Sequence, residues 1–123
     1  MTINIPVSVG EIVDKISILK IKLIHIKEHY QHIVSEIDLL TSSIQHLNIT
    51  GNYLDSLFDV NKQLWDVEDK IREKEKAKQF DQDFISLARK VYTLNDQRFS
   101  LKKKINEEYN SEIKEFKSYK DYV

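Results

Sequence analysis

Three arginines, Arg72, Arg89 and Arg98, stand among 19 basic residues that are otherwise all lysine. Where lysine is the default cation, a guanidinium marks a place for a planar, five-donor fork aimed at a carboxylate or a phosphate. Glu11 and Asp14 near the start of the chain and Glu68 in its middle are the acids spaced to meet them, and Lys15, Tyr92, Asn95 and Asp96 add donors and acceptors. Two chemistries follow. In one, the arginines hold an anionic metabolite while Glu68, Glu11 or Asp14 serves as acid or base. In the other, the same residues form an ion-pair network that fixes helix register and binds nothing. Glu11, Asp14, Lys15, Glu68, Arg72, Arg89, Tyr92, Asn95 and Arg98 form the candidate ligand-binding set, and no residue is assigned a catalytic role.

Other chemistries are weaker. His25, His29 and His32, at i, i+4 and i+7, share one side of a helix, but no HExxH pattern surrounds them, and they read as solvated or interface histidines rather than metal ligands. The acidic pairs Glu107–Glu108 and Glu11/Asp14 do not repeat as a helical magnesium site requires. Arg98 with Lys102, Lys103 and Lys104 is the one basic run, and a run this short reads as a solvated face rather than a nucleic-acid surface. Trp65 and the tyrosines at helical spacing read as core. The chain has no cysteine, which excludes disulfides and thiolate chemistry. Neither a metal nor a cofactor is expected.

The elements that must position these residues are helices. The 123 residues suffice for one domain, 41% are hydrophobic and 32% charged, and the formal net charge is −1. That balance argues against a general binder of nucleic acid or of anionic membranes. Two glycines and one proline leave little turn chemistry for a phosphate-binding loop or an all-β fold. Residues 1–7 read as a short extended arm with Ile3, Ile5 and Val7 alternating. Ser8 with Glu11 forms a capping box. From there Ile12, Ile16, Leu19, Leu23, Ile26, Tyr30, Ile33, Ile37, Leu40, Ile44 and Leu47 are spaced 4,3,4,3 without a break. This seam predicts one long helix over 9–47, ended by Asn48 to Asn52. A second helix is predicted over 53–78 on Leu57, Val60, Leu64, Val67 and Ile71. A third follows over 82–109, capped by Asp81, with Arg98 where its seam expects an apolar residue. Ile113, Phe116, Tyr119 and Tyr122 read as a C-terminal strap.

The expected fold is all-α: an antiparallel three-helix bundle with one long N-terminal helix, a short extended N-terminal arm and a short C-terminal strap, in a single domain over 1–123. That topology sets the start of the first helix beside the end of the second and the start of the third, gathering the candidate set at one end. The surplus seam near 38–47 calls for a homodimer to cover it. No membrane span is expected, and the opening residues carry no signal-peptide pattern, so the cytoplasm is the expected compartment.

Pro6-Val7-Ser8-Val9-Gly10-Glu11, Asp14-Lys15 and Ile18-Leu19, with Leu64-Trp65, Glu68-Asp69, Arg72, Phe80-Asp81, Phe84-Ile85, Leu87-Ala88-Arg89, Val91-Tyr92, Asn95-Asp96, Arg98, Ile105-Asn106 and Lys117-Ser118-Tyr119, resemble an uncharacterised family of small bacterial and phage proteins known as a domain of unknown function. The resemblance covers nearly the whole chain except 41–56. It implies a stand-alone helical domain, found in phages and sometimes near surface-polysaccharide genes, and carries no activity or site residue. The functional expectation is therefore an interaction or adaptor protein that binds a partner through its helical surface. The alternative is a module or enzyme that recognises an anionic phosphate or carboxylate metabolite through the Arg/Glu cluster.

Overall fold

The computed structural model describes residues 1–122 and shows an all-helical chain with no strand among them. Met1 to Val7 run exposed and without regular structure. Ser8 then caps α1 (Val9–His25), its hydroxyl accepting the Glu11 N–H at 3.1 Å. α2 is Tyr30–Ile44, extended by a 3-10 turn at Gln45–Leu47. α3 is Gly51–Lys76 and α4 is Gln82–Glu108. Asp81 caps α4 by accepting the Phe84 N–H at 3.0 Å. Asn48, at φ 50°, supplies the left-handed turn before α3, while Gly51 is already helical.

The single helix expected over 9–47 is two helices. The chain leaves α1 at Ile26, which is extended, and re-enters helix after His29, which is left-handed at φ 61°. α2 then doubles back along α1. Lys15 reaches Glu36 at 3.8 Å, and Ile44 packs against the cluster of Val13, Leu57 and Ile105. No glycine or proline lies between Lys22 and Asn48 to force this break. The reason is tertiary. A straight helix over 9–47 would overrun α3 and α4, which have 26 and 27 residues. Its far seam would stay in water, at about 25 cal/mol per Å² of apolar surface. Folding back buries Ile33 and carries Ile44 to the core, which outweighs a left-handed histidine costing about 1–2 kcal/mol.

α1, α3 and α4 pack against one another, whereas α2 packs on α1 alone. Contacts along α3 and α4 run in opposite order, from Tyr53 beside Tyr109 to Lys74 beside Asp81. Along α1 and α4 they also oppose, from Gly10 beside Asn106 to Asp14 beside Arg98. Along α1 and α3 they run in the same order, because α2 has reversed the chain once more than expected. Val13 meets Leu57, Asp14 and Ser17 meet Asn61, and His25 stacks on Trp65 with ring centroids 4.9 Å apart. The start of α1 therefore lies beside the start of α3 and the end of α4, not beside the end of α3 and the start of α4. A second cluster, Val60, Leu64, Val67 and Leu94 with Ile71, Leu87 and Val91, fills the space between α3 and α4. The C-terminal strap, residues 110–122, returns along α4 without helix.

Candidate functional site

Asp14 and Ser17 occupy successive turns of one face of α1, both fully buried. They lie opposite Asn61 of α3 and Arg98 of α4. Arg98 grips the Asp14 carboxylate with both arms of its fork, Nε to Oδ1 at 2.8 Å and Nη2 to Oδ2 at 2.6 Å. Asn61 Nδ2 donates to Asp14 Oδ1 at 2.9 Å and to Ser17 Oγ at 2.8 Å, and Ser17 donates to the Asp14 carbonyl at 2.6 Å. The bond to Asp14 raises the Arg98 pKa against the opposing effect of burial. Both Asp14 oxygens are engaged, and among the described residues no buried side-chain polar atom lacks a partner. Charge here holds three helices in register.

One turn further along α4, Lys102 is 5% exposed and bridges Glu11 at 2.9 Å and Glu115 of the strap at 3.3 Å. Burial disfavours its charge, but the Glu11 hydrogen bond and the nearby Glu11, Asp14 and Glu115 carboxylates outweigh that, and its pKa is raised. α1 and α4 approach closely enough for this because position 10 is glycine. Its N–H donates to Asn106 Oδ1 at 2.7 Å, and a Cβ there would lie 2.7 Å from the Lys102 carbonyl oxygen. Ser111 fixes the root of the strap, accepting the Val9 N–H at 3.1 Å and donating to the Ile113 carbonyl at 2.6 Å.

Between α4 and the strap runs an open groove of about 790 Å³. Its apolar walls include Tyr92 and Phe99 of α4 and Tyr119 and Tyr122 of the strap. Tyr122 packs on Tyr92 with centroids 4.8 Å apart and donates to Asp96 at 2.8 Å, an acceptor that raises the tyrosine pKa. Arg98, Lys102, Lys117 and Lys120 are set against Glu11, Asp96 and Glu115 along the rim, so neither sign dominates.

Of the sequence-derived set, Glu11, Tyr92, Asn95 and Arg98 line this groove, with Asp14 behind Arg98. Lys15 is exposed and pairs with Glu36. Glu68, Arg72 and Arg89 are exposed and lie outside the groove. Arg89 borders a separate shallow hollow with Asp66, Lys70 and Lys90. Because α1 and α3 run in the same sense, the end of α3 never meets the start of α1. His25, His29 and His32 are exposed, and among the described residues no group of three His, Asp or Glu side chains could hold a metal. No described helix is long and apolar enough to cross a membrane. Sequence reasoning missed Gly10, Ser17, Asn61 and Asn106, and the strap residues as groove walls, and it read Lys102 as part of a solvated face where the residue is buried between Glu11 and Glu115. Asn61 carried a signal: it lies four after Leu57 and three before Leu64, a polar residue at a seam position, as Arg98 does.

The chain belongs to a family of unknown function, DUF6165, whose model matches residues 2–123. No curated protein and no solved structure matches it.

Proposed function

We infer, from a family membership that brings no activity with it, that this protein is an interaction module and that the groove between α4 and the strap takes a polypeptide segment of a partner. The observation that carries the reading is the groove's make-up: four aromatic side chains, two of them on the strap, with a rim of balanced charge. Aromatic walls supply large, rigid contact area, and mixed rim charges pair with a peptide's own mixed charges. An anionic metabolite fits less well. Arg98 is already occupied by Asp14, Lys102 by Glu11 and Glu115, and Arg72 and Arg89 stand outside. A cytoplasmic setting and a bacterial or phage origin remain parts of this proposal.

The test compares the wild type with Tyr92→Ala/Tyr119→Ala, and with Ile85→Ala as a control on an exposed apolar residue outside the groove. A partner captured by the wild type is purified and titrated against all three. The reading expects at least a tenfold weaker Kd for the double variant and no change for the control. Equal binding by the double variant overturns it. So does native mass spectrometry that finds a small anion retained by the wild type and lost from the groove variant.

A further inference from the structure

The apolar seam that runs through the α1–α2 turn has a symmetry the closed hairpin does not use up. Its spacing is palindromic about Glu28: Ile12 stands opposite Ile44, Ile16 opposite Leu40, Leu19 opposite Ile37, Leu23 opposite Ile33, and Ile26 opposite Tyr30. A palindromic seam can close in two ways. The hairpin folds the outer four pairs toward one another within one chain, burying Ile33 and seating Ile44 against the cluster that holds Val13. The fifth cannot close there, because Ile26 and Tyr30 flank the turn itself, and Tyr30 is 52% exposed. The turn is made of Ile26, Lys27, Glu28 and His29, none of which stops a helix, and its closure places His29 in the left-handed region.

We propose that this protein forms a two-fold dimer by exchanging residues 1–25 through this hinge, its occupant being a second copy of the same chain. In the dimer α1 and α2 of each copy join into one continuous helix over 9–44. Two such helices cross antiparallel at the hinge. Each half of the dimer combines α1 of one copy with α2, α3 and α4 of the other. Every contact of the closed chain, the Asp14–Arg98 and Glu11–Lys102 pairs included, is remade between copies. Only the turn differs. There the dimer gains helical backbone hydrogen bonds, returns His29 to helical geometry, and adds two Ile26–Tyr30 layers. On the same register Lys27 of each copy lies opposite His29 of the other, and the two Glu28 residues meet at the two-fold axis. Exchange through a hinge of this kind is a low-cost route to dimers. The proposal does not depend on what the groove binds.

The test uses the full chain at natural abundance mixed with a 15N-labelled sample, with exchange allowed by concentration and dilution. Monomer and dimer are separated by gel filtration and treated with a carbodiimide, which joins an amine directly to a carboxylate. In the dimer, Lys15–Glu36 and Lys102–Glu11 cross-links are expected to carry mixed isotopes, and in the monomer only one. His29→Gly removes the left-handed penalty from the closed turn, and the dimerisation constant is expected to fall roughly fivefold or more per chain. A chain that stays monomeric at high concentration overturns the proposal. A dimer whose cross-links all stay within one isotope overturns it as well.

Discussion

At the scale of single residues, Arg98 shows how an out-of-place side chain is read. A cation in an apolar seam is tolerable only where a buried acid receives it, and Asp14, 1% exposed, receives it through two bonds. Asp14→Ala is expected to destabilise the chain by about 3 kcal/mol in urea unfolding, since it leaves the guanidinium half-buried and uncompensated and Asn61 short of an acceptor. Asp14→Leu/Arg98→Met should cost less than the sum of its single changes, and a double-mutant cycle measures the coupling. If Asp14 were instead an acid or base for a ligand, its replacement would leave stability unchanged. Gly10 makes a second residue-scale case. A methyl group there meets the Lys102 carbonyl oxygen and Asn106 Oδ1 within about 3 Å by the geometry of the close approach. Gly10→Ala is expected to cost about 1–3 kcal/mol by overpacking, despite alanine's better helix propensity, with thermal unfolding as the check.

At the scale of elements, the helix starts were legible and the hinge was not. Ser8 and Asp81 announce themselves because a cap is a local device: a short polar side chain accepts an N–H three residues on. The turn at Ile26 to His29 has no local signature, because its cause is the length of α3 and α4, which lies elsewhere in the sequence. That one miss propagated. With α2 reversing the chain, α1 and α3 run in the same sense, and Glu68, Arg72 and Arg89 fall away from Glu11 and Asp14. The candidate site was thus legible at the start of α1 and the middle of α4, and lost where it depended on which ends of α3 and α4 meet the start of α1. The Asp81 cap also carries a pH signature. The Lys74 ammonium at 2.9 Å, then the Phe84 N–H, hold its carboxyl below the ordinary aspartate range. A lowered pKa adds stability that is present above the unfolded value of about 4 and lost as the pH falls through the folded one. Asp81→Asn keeps a capping oxygen but drops the charge. Its Tm is therefore expected to lie below that of the wild type at neutral pH, and the gap should close below about pH 4.

At the scale of the whole molecule, stability is unevenly distributed. α1 packs on three partners and α3 and α4 on two each, while α2 packs on α1 alone and contributes one buried hydrophobic residue, Ile33. The strap adds no helix and is tied down at Ser111, at Glu115 through Lys102, and at Tyr122 through Asp96 and Tyr92. Elements with few buried contacts open at lower free energy than the global transition. Native-state hydrogen exchange at low denaturant is therefore expected to rank the amides in two tiers. Those of α2 should exchange through a sub-global opening, and those around Val13, Leu57, Leu94 and Ile105 only through global unfolding. Raising the pH past the ordinary lysine range, about 10.4, should loosen the strap. The raised Lys102 pKa contributes stability that persists through neutral pH and is lost once that group deprotonates. Lys102→Met should abolish this alkaline step, read as the chemical shifts of the non-titrating strap residues Ile113 and Phe116, while leaving the α2 tier in place. If α2 instead exchanged with the core as one unit, the hairpin would be an integral part of a four-helix core, and its hinge would have no independent motion with which to trade partners.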